Sequence, residues 1–497
     1  MTTTWSSTTD VRNPTDEILV HRTSPKRVTR ILDRPWVVAG ILALVFGLLI
    51  AVFTPPLAGG DERDHFDRAF QIASGSVLTT KHDGFYGAYL PTRLFDQDQA
   101  ITRASFVDPD HTAFLKLLNA PTPDGPTSFV SLANAASYGP GAYAAYVPAI
   151  AIGRFFGFST LAILYLSRFV GVLVYAAIVA LAVRRLPVHR WILVAGALLP
   201  TALNQASTVS ADGLTMALGF LIVAETLFLA SRPERVRRSL VTLSGAVPLL
   251  ALAKPPYVLF ALLLIIPAWR MRGRVALWIG AILGAGTLLA AGWGSYQNSH
   301  SLSQDTPKLF LDETSVRYAF HHIEIHHQTV LILTQPWFFL SVLGRTFYQG
   351  GLATLQDLLG HVATYEEPWW TIIVGIVIVA ASVVLNERVR VPRLDRTVRI
   401  GLLIGVVVAF LGIYAIAYTN WNAYHAPVIQ AVPARYFLPL LPGLLIGVVP
   451  SEIRIDAVDA RLNPRLWVSG ALIVLLSATV YEMWRFHFSG PPIFHLR

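Results

Sequence analysis

Two adjacent carboxylates, Asp61 and Glu62, come shortly after the first long apolar run of the chain. A carboxylate placed where a helix leaves the lipid can accept a proton from a hydroxyl nucleophile. His65 follows on the same helical face of "GGDERDHFDRAFQIASG". The spacing predicts an amphipathic helix that rests on the outer membrane surface, with general-base chemistry at its start. The structural alternative for Asp61 is a helix N-cap.

Cationic residues occur where an anionic substrate could bind. Lys254 has apolar runs on both sides, and a cation at the bilayer centre costs about 2.5–3.5 kcal/mol, so we expect an anionic partner and a function. The alternative is that Lys254 snorkels to the head groups. Arg435 suits bidentate phosphate binding, although an Arg beside Tyr436 is also an ordinary interface anchor. Asp212 is either a second acid of the site or, like Ser210, the cap of the next helix.

The histidines of "HHIEIHH" offer a weaker signal for a metal. His322 and His326 are four residues apart, but the order of the His-Glu-x-x-His motif is absent. A solvated or phosphate-facing cluster is therefore favoured, no cofactor is predicted, and a divalent metal at the acid pair is left open. Arg168 lies inside an apolar run, which predicts that it pairs with an acid or with backbone carbonyls.

Composition predicts the fold class. Of the 497 residues, 54% are hydrophobic and 14% charged, and the mean hydropathy is +0.53. These values predict an all-α polytopic transmembrane protein. The absence of cysteine excludes disulfides, iron–sulfur clusters and thiol nucleophiles. A net charge of +9 does not indicate nucleic acid, because the basic residues lie in short loops between apolar runs.

About eleven runs reach or approach the roughly 20 apolar residues of a membrane span. They are 36–54, 160–183, 191–209, 213–230, 240–253, 256–268, 275–295, 369–385, 398–418, 436–450 and 466–483. A cytoplasmic N-terminus puts most of the 39 Lys and Arg residues inside, as the positive-inside rule requires, and the C-terminus outside. Two large segments, 55–159 and 296–368, are then outer loops. Within them, 138–156 and 329–348 are predicted to lie on the membrane as juxtamembrane helices.

The chain divides on this basis into three parts. Residues 1–35 form a cytoplasmic tail, 36–368 a membrane module with both outer loops, and 369–497 a set of C-terminal transmembrane helices. No internal repeat is visible in the sequence.

Five motifs carry a resemblance to a known family. They are 55–75, 138–148, 207–212, 253–257 and 430–439. In order and spacing they resemble domain of unknown function 2142, a bacterial family of polytopic membrane proteins. That family is in turn similar to membrane glycosyltransferases of the GT-C class. The resemblance implies a GT-C-like fold, a polyprenyl-phosphate sugar donor and a catalytic base at Asp61, with Glu62 beside it.

The same resemblance implies that Lys254 and Arg435 hold the lipid phosphate. The predicted substrate-binding residues are His65, Asp212, Lys254, Tyr257, Arg435 and Tyr436. The chain departs from the family pattern at Ala434, where glycine is usual, and at Gly60, where proline often precedes the acids.

The implied function is transfer of a sugar to a glycan, lipid or protein acceptor of the cell envelope, at the outer face of a bacterial plasma membrane. Membrane lipids are the other expected partners, and nucleic acid is not expected. The main alternative is a transporter or flippase of lipid-linked sugars, although transporters often show repeat symmetry. A scaffold for envelope synthesis is a third alternative.

Overall fold

The structure is a computed structural model. It describes residues 34–83, 85–107, 111–132, 135–232, 236–299, 323–362, 365–366, 369–384, 394–430, 432–449 and 464–485. Nearly all of the predicted tail 1–35 lies outside these residues, and so does His322 of the histidine cluster. The division into three parts stays a prediction.

One candidate membrane helix and the folded segment 55–159 form the first third of the chain; because this segment was predicted to be an outer loop, it is called the outer segment below. Helix α1 (Pro35–Phe53) is long and apolar enough to span. The outer segment contains α2 (Glu62–Ala73), β1 (Thr80–His82), β2 (Phe85–Pro91), α3 (Thr92–Thr102), a π-helical turn (Arg103–Val107), α4 (His111–Leu118), β3 (Thr127–Ser131), a 3₁₀ helix (Pro140–Tyr143) and α5 (Tyr146–Phe155). The strands form an antiparallel sheet in the order β1-β2-β3, in which Gly87 pairs with Thr80 and Ser131.

The middle of the chain supplies the central helices. They are α6 (Thr160–Arg185), α7 (Arg190–Ala197), α8 (Pro200–Ser207), α9 (Asp212–Ser231), α10 (Val236–Ala253), a 3₁₀ helix (Pro255–Leu264), α11 (Ile265–Arg270) and α12 (Arg274–Ser299). Helix α9 is buried from Asp212 to Leu229. It is apolar on every side because neighbouring helices surround it.

The last third of the chain packs around this centre. Its elements are α13 (Ile325–Thr334), α14 (Pro336–Gly360), the paired strands β4 (His361–Val362) and β5 (Tyr365–Glu366), α15 (Trp369–Val384), α16 (Arg396–Trp421), a 3₁₀ helix (Ala434–Phe437), α17 (Leu440–Val448) and α18 (Pro464–Trp484). Among these helices, α16 packs on the 3₁₀ helix Pro255–Leu264 and on α17.

Seven of the described helices are long and apolar enough to cross a membrane: α1, α6, α9, α10, α12, α16 and α18. Helices α13 and α14 pass the same test together, but they are bent by 104° at their junction, as in a broken span or a re-entrant loop. The prediction of an all-α, polytopic membrane protein is confirmed.

Four predicted runs form shorter elements than a continuous span. Run 191–209 divides into α7 and α8, and run 256–268 into a 3₁₀ helix and α11. Run 369–385 gives the 16 residues of α15, and run 436–450 the nine of α17. Two of the breaks coincide with proline, at Pro200 and Pro439, whereas the break in run 256–268 falls between Leu264 and Ile265. Proline lacks the N–H that a continuing helix would use.

The apolar face of helix α2, which was predicted to rest on the membrane surface, packs against protein instead. Phe66 and Phe70 are fully buried in a core formed with β2, α5 and α6, and His65 and Arg68 are buried as well. The outer segment folds over the helix and supplies two of these neighbours, β2 and α5, while α6 is a candidate membrane span. An amphipathic pattern alone does not distinguish a lipid surface from a protein surface.

The stretch 138–156 is not a span, in agreement with the prediction. Its Tyr143 and Tyr146, which were predicted to suit the membrane interface, are buried in the same core as Phe66. The Tyr146 hydroxyl donates to the carbonyl oxygens of Thr208 and Ser210, at 3.2 Å each. The outer segment is therefore joined to the membrane helices through buried polar contacts.

Candidate functional site

Glu62 is held at the end of α1 by Arg168 of α6. Glu62 Oε1 accepts from Arg168 Nε at 2.7 Å and Oε2 from Nη2 at 2.5 Å, and both side chains are fully buried. Glu62 also accepts from the backbone N–H groups of Val209, at 2.9 Å, and Gly59, at 3.3 Å. All of these contacts hold Glu62 as a structural anchor, an arrangement that does not favour proton transfer from a substrate.

Arg168 has no free donor in this arrangement. Its remaining N–H groups reach the carbonyl oxygens of Ala51 at 2.8 Å, Thr54 at 2.7 Å and Pro55 at 2.9 Å. These carbonyls belong to the C-terminal end of α1, where helical partners are missing. The predicted pairing of Arg168 with an acid and with backbone carbonyls is confirmed.

Asp61 stands apart from this anchor. It occupies the N-cap position of α2 in the left-handed conformation, with φ 49°, and its side chain makes no capping hydrogen bond. Aspartate tolerates this conformation better than most residues. The residue is exposed. The N-cap alternative therefore does not account for the carboxylate at this position.

Asp212, Lys254 and Arg435 form a buried ion cluster. Lys254 Nζ donates to Asp212 Oδ1, and Arg435 Nε donates to Asp212 Oδ2 at 2.7 Å. The side chains of Asp212 and Lys254 are 9% and 6% exposed, whereas that of Arg435 is 20% exposed. The anionic partner expected for Lys254 is therefore Asp212. Arg435 is the most solvent-exposed of the three side chains.

Three tyrosines surround the Lys254 ammonium. Its Nζ lies 3.8 Å from the ring centroid of Tyr436, 5.2 Å from that of Tyr138 and 5.9 Å from that of Tyr257. The hydroxyls of Tyr138 and Tyr436 are 3.2 Å apart, and the Tyr257 hydroxyl donates to the backbone carbonyl of Tyr436 at 2.8 Å. Ring faces attract a cation and help to hold it in a poorly solvated place.

His65 brings α2 to the same place. Its ring centroid lies 5.1 Å from that of Tyr138, and Nδ1 is hydrogen-bonded to the Tyr143 hydroxyl at 2.8 Å. Burial lowers the pKa of His65 to about 3, so the imidazole is neutral at physiological pH. Asp61 precedes it by one helical turn, about 6 Å along the axis. We call the group of Asp212, Lys254, Arg435, His65, Tyr138, Tyr257 and Tyr436 the Asp212 cluster.

Local sequence explains how Tyr138 reaches Lys254. A Cβ added to Gly139 or Gly141 would overlap the backbone of α10 at Leu252 and Leu249, so only glycine permits this approach. From the other side, Arg68 Nη2 donates to the carbonyl oxygens of Val77 at 2.8 Å and Tyr138 at 3.2 Å. The role of Tyr138 was not predicted, because no local pattern indicates a contact between distant segments.

Ser210 and Asp212 have different roles, although the sequence allowed either of them to cap the next helix and Asp212 to be a second acid of the site. The Ser210 hydroxyl accepts from the N–H groups of Asp212, at 3.2 Å, and Gly213, at 3.4 Å, at the start of α9. Ser210 thus caps the helix, and the Asp212 carboxylate is available to the two cations. Its place at a helix N-terminus adds a favourable interaction with the helix dipole.

The Asp212 cluster carries an excess of positive charge. Two cations share one carboxylate, and His65 is neutral. Among the described residues, the Nη1 and Nη2 groups of Arg435 make no hydrogen bond. A guanidinium with a free pair of donors beside a second cation suits the bidentate binding of a phosphate.

A second pair of buried acids, Asp67 and Asp98, lies within the outer segment and was not predicted. Burial raises the pKa of Asp67 to about 6 and that of Asp98 well above its usual range, where the charge of Asp67 contributes as well. Both Asp98 oxygens lack a hydrogen bond to a described residue. The pair therefore favours a protonated state.

The described part of the chain contains no group of three or more His, Asp or Glu side chains arranged to hold a metal ion. His327 of the histidine cluster instead contacts Glu324, with 2.7 Å between Nδ1 and Oε2, and His326 lies against the His327 ring. The question of a divalent metal at Asp61 stays open.

All six residues predicted to bind substrate lie in one cluster. They are His65, Asp212, Lys254, Tyr257, Arg435 and Tyr436. The structure brings Asp61 to within one helical turn of this cluster and assigns Glu62 to the anchor with Arg168.

Comparison with known protein families gives a match over most of the chain. The family model described as "Predicted membrane protein (DUF2142)" matches residues 44–444. No curated protein and no solved structure matches the chain. Because the family match covers most of the sequence, the chain belongs to the DUF2142 family of membrane proteins.

Proposed function

We propose that the protein is a membrane glycosyltransferase that moves a sugar from a polyprenyl phosphate to an acceptor of the cell envelope. The reaction takes place at the outer face of a bacterial plasma membrane, with the N-terminus in the cytoplasm. The observation that carries the proposal is that Arg435 Nη1 and Nη2, which make no hydrogen bond to a described residue, lie beside Lys254, with the Asp212 carboxylate between the two cations.

The Asp212 cluster provides a place for the donor phosphate. The phosphate would accept hydrogen bonds from Arg435 Nη1 and Nη2 and interact with the Lys254 charge. Negative charge grows on the phosphate oxygen as the glycosidic bond breaks, and fixed cations in a poorly solvated site stabilise that charge. Asp212 orients the two cations, and neutral His65 does not add further charge.

Asp61 is the proposed general base. The acceptor hydroxyl attacks the anomeric carbon, its proton passes to Asp61, and the bond between that carbon and the phosphate oxygen breaks. The leaving group is the polyprenyl phosphate, which stays in the membrane. The exposure of Asp61 and its place one turn before His65 support this assignment, and the anchoring of Glu62 by Arg168 favours Asp61 over its neighbour.

The position of the cluster along the helices suits a substrate with a lipid tail. Lys254 follows the end of α10, Asp212 begins α9, and Asp61 follows the end of α1. These ends of candidate spans meet at one face, where a polyprenyl chain can stay in the hydrocarbon while its phosphosugar reaches water.

The transporter alternative requires Arg168 to line a substrate path. The donors of Arg168 are all occupied by Glu62 and backbone carbonyls, which does not favour that role.

The test uses the full-length protein in lipid nanodiscs. Membrane lipids from a bacterium, with polyprenyl-phosphate sugars radiolabelled in the sugar, serve as the donor, and transfer of label to envelope extract is measured. We expect transfer by the unchanged protein and its loss in Arg435→Gln. The matched control is Arg270→Gln, because Arg270 pairs with Asp395 at the opposite end of the helices.

Two outcomes would contradict the proposal. One is normal transfer by Arg435→Gln, and the other is a complete absence of transfer together with counter-transport of the labelled lipid in sealed vesicles. The second outcome would support the flippase alternative.

A further inference from the structure

A cavity of about 260 Å³ lies beside α14, outside the Asp212 cluster. One wall is a face of α14 formed by Thr346, Gln349, Gly350 and Thr354. Tyr414 of α16 forms a second wall. Val428, Ile429 and Val432, in the segment that follows α16, form the third. None of these side chains is an acid, a lysine, an arginine or a histidine.

Tyr414 lines the cavity and can offer its hydroxyl to a ligand. The residue as a whole is 2% exposed, and its hydroxyl makes no hydrogen bond to a described residue. Its ring is fixed by Phe410, Phe347 and Phe437, at centroid distances of 5.0, 5.5 and 5.0 Å. A hydroxyl can both donate and accept, so the Tyr414 side chain offers a ligand a hydrogen-bonding group in a fixed position.

Gly350 provides the space. A Cβ added there would meet no atom within 4 Å, so this face of α14 opens into the cavity. Thr354 Oγ1 donates to the Gly350 carbonyl at 2.9 Å, which leaves its oxygen able to accept from a ligand. Gln349 is exposed at the rim and adds an amide.

The cavity is tied to the segment that carries Arg435. Thr346 Oγ1 accepts from the Ile429 N–H at 2.9 Å, and Asp357 Oδ2 accepts from the Ala434 N–H at 2.6 Å. Val432 lies three residues before Arg435, so their Cα atoms are at most about 11 Å apart. A molecule in the cavity is thus a near neighbour of a molecule held by Arg435.

We propose that this cavity binds a neutral glycosyl unit, and that the acceptor of the reaction is therefore a glycan. The role as acceptor site rests on the proposed function, whereas the binding of a glycosyl unit does not. Hydroxyl and amide groups on one wall suit sugar hydroxyls, and Val428, Ile429 and the Tyr414 ring suit the C–H faces of the sugar. The volume is below the roughly 300–1,000 Å³ of drug-sized pockets, which limits the occupant to about one sugar ring.

A hydrocarbon chain fits the cavity less well. It would offer no hydrogen bond to the Tyr414 hydroxyl and would separate the Gln349 amide and the Thr354 oxygen from water, which is unfavourable for polar groups. An anion would find no cation among the lining residues. A glycosyl unit meets neither difficulty.

The test uses the absence of cysteine from the chain. Val428→Cys puts a thiol on the cavity wall, and its alkylation by a maleimide is timed in nanodiscs with and without 50 mM methyl glycosides of common sugars. At least one glycoside should slow alkylation about fivefold or more, because a Kd near 1 mM gives almost full occupancy. Gln430→Cys, which is exposed on the same segment and does not line the cavity, should show no protection.

A filling variant identifies the cavity as the place of binding. Gly350→Leu in the Val428→Cys background should abolish the protection, whereas Gly344→Leu should retain it. Both glycines lie on α14 with open space at the added Cβ, and leucine favours a helix over glycine, so neither change should impair folding.

Several results would overturn the inference. They are the absence of protection by any glycoside, equal protection by the isoprenoid alcohol farnesol, and protection that survives Gly350→Leu. The experiment contains no donor and no turnover. Protection without sugar transfer would therefore refute the transferase alone, and transfer without protection would refute the glycan cavity alone.

Discussion

Glu62 and Arg168, 106 residues apart in the chain, form an ion pair with two hydrogen bonds, and both side chains are fully buried. The pair joins the start of α2 to the middle of α6 and, through the carbonyl groups of Ala51 and Thr54, to the end of α1. The position of Asp61 depends on this junction, since Asp61 is the residue before Glu62.

Glu62→Gln should therefore impair the fold more than the chemistry. It leaves Arg168 charged, buried and without its anion, a change that destabilises proteins by roughly 3–5 kcal/mol. Thermal unfolding in detergent should show a clearly lower Tm. Glu62→Gln combined with Arg168→Met removes both charges, and it should recover much of the loss. A double variant that is no more stable than Glu62→Gln would show that the pair does not act as a unit.

Asp61→Asn should have the opposite effect. Asparagine keeps the size of the side chain and tolerates the left-handed backbone, so the Tm should change little. It is a far weaker base than carboxylate, and sugar transfer should fall by roughly 10² or more. Measured kcat with the labelled donor decides the matter. Undiminished transfer would remove Asp61 from the mechanism.

Lys254→Met should weaken anion binding without unfolding the protein. The substitution keeps an apolar stem of similar length, and Asp212 retains Arg435 as its partner. Loss of one charged interaction of about 1.5–3 kcal/mol should raise the Kd for farnesyl phosphate roughly 10- to 100-fold. Isothermal titration measures this change. Lys116→Met, at an exposed position on α4, is the control and should leave the Kd unaltered.

The Asp67 and Asp98 pair predicts that the outer segment is more stable in acid. Both pKa values are raised in the folded state, so the pair favours folding most below pH of about 4, the usual pKa of Asp. That contribution is lost as the pH rises through about 6, the pKa of Asp67. Hydrogen exchange of α2 and α3, corrected for intrinsic rates, should be slower at pH 4.5 than at pH 7.5.

Asp98→Asn tests the cause of that pH dependence. It removes one of the two acids, so the difference between the two pH values should become smaller. An Asp98→Asn protein with the same pH dependence as the unchanged protein would assign the effect to other groups.

The orientation in the membrane can be tested with single cysteines. Tyr296, near the end of α12, is hydrogen-bonded through its hydroxyl to the Thr79 N–H of the outer segment at 2.8 Å, whereas Arg272 precedes the start of the same helix. Asp96→Cys should react with an impermeant maleimide in intact cells, and Arg272→Cys only after permeabilisation. Labelling of Arg272→Cys in intact cells would reverse the proposed topology.

The sequence was most informative where a residue conflicts with its surroundings. Lys254 and Arg168 lie next to or within apolar runs, and each required a partner because an isolated charge in the membrane is unfavourable. The identity of the partners was not visible. Asp212 and Glu62 are 42 and 106 residues away from these cations, and such pairing depends on how the helices pack.

The periodicity of apolar residues predicts the helices correctly but does not show which surface each helix packs against. The pattern in α2 correctly gave a helix, but the surface that covers Phe66 and Phe70 is protein from the outer segment. Likewise, apolar length correctly predicted the spans that lack internal breaks, such as α6 and α16, whereas Pro200 and Pro439 divide two of the other predicted runs. Tyr138 reaches Lys254 only through the approach of Gly139 to α10, a contact that no local rule specifies.

Because Asp61 has a left-handed backbone, folding and sugar transfer place different requirements on the residue at this position. Most L-residues are disfavoured at φ 49°, so a library of all substitutions should yield well-expressed protein mainly with glycine, asparagine or aspartate. Of these three, aspartate alone carries a carboxylate. Sorting such a library first by the amount of inserted protein and then by sugar transfer should retain aspartate, while glutamate, which has the same charge, should be lost in the first sort.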